Sequence, residues 1–70
     1  MGKNNYIMII QIGRNVTDIM ALPCVDSVRK SFEGKLVYQV NTLSGSPKYA
    51  REGDYICKDK DGDWYVETNL

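Results

Sequence analysis

Near its end the chain reads Tyr55-Ile56-Cys57-Lys58-Asp59-Lys60-Asp61-Gly62-Asp63-Trp64-Tyr65-Val66-Glu67. Two short runs of strand-forming side chains flank an Asp-Gly pair, which is a strong local signal for a tight β-hairpin. With Asp61 and Gly62 as the two central residues, Lys60 pairs with Asp63, Asp59 with Trp64, Lys58 with Tyr65 and Cys57 with Val66. Side chains alternate across a strand, so this register sends Tyr55, Cys57, Trp64 and Val66 to one face. That face is the most apolar, and it should meet the core. Ile56, Lys58 and Tyr65 fall on the other.

A hairpin alone is marginal in water and needs further strands or a helix against its apolar face. The rest of the chain offers both. Residues 6–12 (YIMIIQI) are apolar, rich in β-branched side chains and end at Gly13, which predicts a buried strand. Residues 15–32 change period. Ile19, Leu22, Val25, Val28 and Phe32 recur at spacings of three or four, the stripe of an amphipathic helix. Asn15 or Thr17 can cap it, Asp18 suits its first turn, and Gly34 suits its end. Pro23 interrupts the pattern, so the better helix is expected over 23–32, with proline in its first turn. Residues 35–43 alternate again, with Leu36, Tyr38 and Val40 on one side. A turn at Ser44-Gly45-Ser46-Pro47, a short strand over 48–51 and a turn at Glu52-Gly53-Asp54 complete the pattern. The expected fold is α+β: one short helix on a small antiparallel sheet, in the order β-α-β-β-β-β, forming a single domain over residues 1–70.

Seventy residues permit only a small core. Nine basic and nine acidic residues cancel, which removes any general attraction to nucleic acid or anionic lipid and leaves self-association unopposed. The longest apolar run is far too short to span a membrane. Two cysteines, Cys24 and Cys57, and no histidine argue against a disulfide scaffold, a four-ligand zinc site and a base-activated thiol. Both thiols are expected to be reduced and structural. The Asp59-Lys60-Asp61-Gly62-Asp63 cluster superficially resembles a calcium loop. Placing Gly62 at the sixth loop position puts Cys57 first and Thr68 twelfth, neither of them a suitable ligand there. A solvated hairpin tip accounts for the cluster, and no pair of carboxylates stands out for acid–base work. The expectation is therefore a protein without catalytic residues, metal or cofactor.

The stretch Gly53-Asp54-Tyr55-Ile56, followed by Lys58, Gly62 and Trp64-Tyr65, resembles a family of short phage and prophage proteins with a C-terminal "PGDYI" motif. Thr42-Leu43-Ser44-Gly45 fits the strand end upstream of that motif, and Glu52 stands where the family has proline. The resemblance implies an origin rather than a mechanism. It suggests an accessory protein of the bacterial host cytoplasm that binds a host or phage protein and inhibits a host defence or regulatory system. An oligomeric small-molecule or nucleotide binder and a minor virion component are the alternatives. A protein partner, or a second copy, would be met by a few exposed anchors. Tyr65, on the face away from the core, is the expected anchor, framed by Arg51 and Lys58. The surface around Asp26, Arg29 and Lys30 comes next.

Overall fold

The computed structural model describes residues 6–43 and 45–70. Ser44, the expected first residue of the Ser44–Pro47 turn, lies outside the described residues. Six strands and one short helix follow in the order β1 (Tyr6–Gln11), α1 (Val16–Met20), β2 (Val25–Lys30), β3 (Leu36–Val40), β4 (Lys48–Arg51), β5 (Tyr55–Asp59) and β6 (Trp64–Glu67). They form two three-stranded antiparallel sheets, ordered β1-β5-β6 and β2-β3-β4. The fold is mostly β, and the single sheet expected from the sequence is two.

The largest departure is the helix expected over 23–32, which is β2. The helix proper ends at Met20. Pro23 then occupies the second position of a turn closed by the Val25 amide donating to the Leu22 carbonyl at 3.1 Å, a position that suits its fixed φ. The helical spacing has a different cause. Val25 pairs with Val40 but Ser27 with Gln39, so Asp26 is an extra residue in a bulge. A bulge shifts the side-chain alternation by one. It therefore brings Val25 and Val28, three apart, onto the same face, opposite Val40 and Tyr38. Three-residue spacing thus arises within a strand. The surface of Asp26, Arg29 and Lys30 lies on an edge strand and not on a helix.

The inner faces of the two sheets meet in one core. Ile12, Ile19, Cys24, Tyr38, Val40, Ala50 and Ile56 are buried together, with Ile10, Leu22, Val25, Val28, Leu36, Trp64 and Val66 packed around them. Leu36, Tyr38 and Val40 share that inner face, as the alternation of β3 requires. Helix α1 contributes Ile19. Asn15 precedes α1, but its side chain does not cap the helix; it accepts from the Gly13 amide at 2.8 Å and donates to the Gln11 carbonyl at 3.2 Å, tying the helix start to the end of β1.

The terminal hairpin forms, with its register one residue from the expected one. Lys58 pairs with Trp64, Cys57 with Tyr65 and Ile56 with Val66. The reason is the loop. Asp59 and Asp63 are the closing pair, and Gly62 alone carries a positive φ, +88°. Lys60, Asp61 and Gly62 therefore form a three-residue connection ending in a left-handed glycine, not a two-residue turn. A slip of one flips one strand's faces relative to the other. Trp64 and Val66 face the core as expected, and Ile56 joins them. Cys57 and Tyr55 lie instead on the outer face with Tyr65.

Candidate interaction surface

The three residues expected to form a binding site are not brought together. Tyr65 lies half-buried on the outer face of the first sheet. Lys58 sits beside Trp64 on the opposite face, its ammonium 5.4 Å from the centre of the indole ring, a cation–π distance. Arg51 is exposed on β4 opposite Val37, on the outer face of the other sheet. Its amide donates to the Asp54 carboxylate at 3.1 Å, bracing the Gly53 turn.

The outer face of the first sheet carries Tyr6, Tyr55 and Tyr65, and the hydroxyls of Tyr6 and Tyr65 are held by carboxylates. The Tyr65 hydroxyl donates to Asp59 Oδ2 at 2.9 Å, and the Tyr6 hydroxyl donates to Glu67 Oε2 at 2.5 Å. The two rings lie 5.7 Å apart, tilted by 44°. Each hydroxyl's bond to a carboxylate, more than burial, raises its pKa, so both phenols stay protonated donors. Cys57 sits between its cross-strand neighbours Ile9 and Tyr65 and is fully buried although it faces away from the core. Burial, with Glu67 nearby, pushes its thiol up to about 11; burial does the same for Cys24. Both cysteines are free. Neither is a ready thiolate at neutral pH.

Asp59, Asp61 and Asp63 place one carboxylate oxygen each within 4.8 Å of one another at the hairpin tip. Asp59 is already engaged. Its Oδ1 accepts from the Asp61 and Asp63 amides, both at 2.9 Å, and its Oδ2 accepts from Tyr65. The cluster is thereby explained as turn chemistry. The Asp63 amide foremost, with Tyr65 and the neighbouring amides, lowers the Asp59 pKa against the opposing effect of desolvation. A carboxylate whose folded pKa is depressed stabilises the fold above its unfolded pKa, and that stabilisation is lost as pH falls through the folded one. The melting temperature should therefore drop as pH is lowered from about 5 toward 2. In Asp59→Asn the drop should be shallower, since the amide does not titrate. Parallel thermal melts of the two proteins measure this, and identical profiles would remove Asp59 as the titrating group.

The same turn occurs a second time. Between β2 and β3 the Ser31 amide donates to the Lys35 carbonyl at 2.8 Å and the Gly34 amide to the Ser31 carbonyl at 2.9 Å, with Gly34 at φ +79°. Ser31 Oγ accepts from the Glu33 and Lys35 amides at 3.3 Å, as Asp59 Oδ1 does from Asp61 and Asp63. The two tips are equivalent: Phe32 stands where the other has Lys60. Phe32 is fully exposed, at 106% of its reference area, whereas the sequence stripe had placed it in the core. The signal available in the sequence was the match between Ser31-x-x-Gly34 and Asp59-x-x-Gly62, which marks a turn and puts Phe32 at its tip. Arg29 and Lys30 lead into this tip and Lys35 leaves it, against the single carboxylate of Glu33.

Two shallow grooves adjoin these features. One, of about 140 Å³, is lined by Leu43, Lys48, Tyr65, Val66 and neighbours. The other, of about 220 Å³, runs past Gly13, Lys35, Tyr38 and Glu52. Among the described residues no helix is long and apolar enough to cross a membrane. No protein-family model, curated protein or solved structure matches the chain.

Proposed function

We propose that this domain works by contact with another protein, without catalysis, and that the β2–β3 tip carries the contact. The observation that supports it is Phe32. Turn chemistry does not ask for an aromatic there, since the equivalent tip uses Lys60. The turn that carries this exposed phenylalanine is braced by its own hydrogen bonds, so little backbone freedom is lost on docking. Arg29, Lys30 and Lys35 around it favour an apolar pocket with an acidic rim. The tyrosine face around Tyr65 is a second surface with anchors of the right kind. The likeness of Gly53-Asp54-Tyr55-Ile56 to the phage motif supports an accessory role toward a host or phage protein, as an inhibitor of a host system.

The test is capture from bacterial lysate by immobilised wild-type protein, Phe32→Ser and Tyr65→Ala, with melting temperatures measured alongside. Phe32→Ser should keep its melting temperature and bind at least about tenfold more weakly, the scale of a central interface anchor. Loss with Tyr65→Ala alone would move the contact to the tyrosine face. Retention by both variants would end this reading.

A further inference from the structure

Each sheet has two edges, and they are not protected alike. An edge strand offers unpaired backbone groups to any other strand, and soluble proteins usually guard it with charge, proline or a covering element. Strand β2 is guarded: Asp26, Arg29 and Lys30 are exposed along it. Strands β4 and β6, edges of their respective sheets, lie against each other. Strand β1 pairs with β5 on one side, and no described strand pairs with its other side. Its register with β5 shifts at Ile7, a bulge that guards its first residues, but residues 6–12 contain no charged residue and no proline. Ile7, Met8 and Ile9 are exposed at 64%, 40% and 52%.

The backbone of β1 is oriented to accept another strand. Ile12 uses both its groups toward the β4–β5 turn, donating to the Asp54 carbonyl and accepting from the Gly53 amide, each at 2.9 Å. Ladder bonds alternate along an antiparallel strand. Ile9 and Gln11 therefore turn their backbone groups away from β5, and the Gln11 carbonyl meets Asn15 from that side. The Ile9 amide and carbonyl and the Gln11 amide face outward.

We infer that this edge pairs with the same edge of a second copy. An antiparallel two-fold about Ile9 sets Ile9 against itself, exchanging two N–H···O=C bonds, and brings Gln11 of each copy to the bulge at Ile7 of the other. Like meets like at a two-fold interface, so a charged edge repels its own copy and an uncharged apolar one does not. A net charge of zero leaves no long-range repulsion to oppose the encounter. The two three-stranded sheets become one of six strands, and their tyrosine faces run on from one copy to the next. This inference does not depend on the role of Phe32.

Light scattering after size exclusion, at micromolar to submillimolar concentration, should give twice the 8.0 kDa of the chain. Ile9→Lys places two cations across the axis and should give a folded monomer, checked by circular dichroism. Arg29→Glu, on the guarded edge, should leave the dimer intact. Amide hydrogen exchange on the wild type keeps the test independent of any variant: protection at Ile9 and Gln11 should rise with protein concentration. A wild-type monomer throughout that range, a dimer that persists in folded Ile9→Lys, or concentration-independent exchange at both amides would overturn the inference.

Discussion

Ile56→Ala is expected to cost the protein about half of its stability. Ile56 is fully buried on the central strand of its sheet, among the side chains shared by both sheets. Removing its outer carbons forfeits transfer energy and leaves a cavity, together about 2–5 kcal/mol. A chain of this length has about 4–10 kcal/mol in total, at the usual stability per residue. The neighbouring Cys57 sharpens the expectation. It is just as buried, yet it faces outward and lies outside the core cluster. Cys57→Ala removes one sulfur beneath side chains that can settle inward, so that variant should remain folded. Urea titrations followed by circular dichroism compare the two. Equal midpoints for both variants would mean that the outer face contributes as much to stability as the core.

Tyr38→Phe is expected to act in the opposite direction and stabilise the protein. Tyr38 is 1% exposed, and its hydroxyl has no hydrogen-bond partner among the described residues. Burial raises its pKa, so the hydroxyl stays neutral. A buried hydroxyl without a partner loses about 1–3 kcal/mol of hydration, while the ring packs equally well without it. Each kcal/mol regained moves the melting temperature of so small a domain by about 4–8 °C. Tyr38→Phe should therefore melt several degrees higher than the wild type. A lower melting temperature would mean that the hydroxyl is satisfied, by a water or a ligand held in the groove that Tyr38 lines beside Lys35 and Glu52.

Much of the β structure was legible because it rests on local rules. The runs at 6–12, 35–43, 48–51 and 55–67 all contain strands, and Gly53 and Gly62 mark turns that need a positive φ. The core orientation of Trp64 and the outward one of Tyr65 also followed from alternation. The strand over 6–12 is not the buried one its apolarity predicts: it is an edge strand with Ile7, Met8 and Ile9 exposed, because apolar composition alone does not say which neighbours a strand will find. The other failures were two single-residue insertions. The bulge at Asp26 gave β2 the apolar spacing of a helix, and its stabilisation comes from β3, which a local pattern does not register. The third loop residue between Asp59 and Asp63 shifted a pairing by one and exchanged Ile56 with Cys57 across the sheet. Phe32 was lost to the same mistaken helix, since a stripe that includes a residue assigns it to the interior. Arg51, Lys58 and Tyr65 are near one another in sequence, but they lie on two sheets and three surfaces.

The pairing of β1 with β5 has a consequence during synthesis. Tyr6 finds its partner in Asp59, across most of the chain, whereas β2–β3 and β5–β6 are local hairpins. Local pairs close quickly, and distant ones wait on the slower closure of a long loop. On the ribosome the second sheet, residues 25–51, can assemble while β1 is still unpaired. The most apolar strand emerges before the other five and is completed almost last. Through that interval both of its edges are open, and a nascent chain in this state is a natural substrate for chaperones or for mispairing with its neighbours on a polysome.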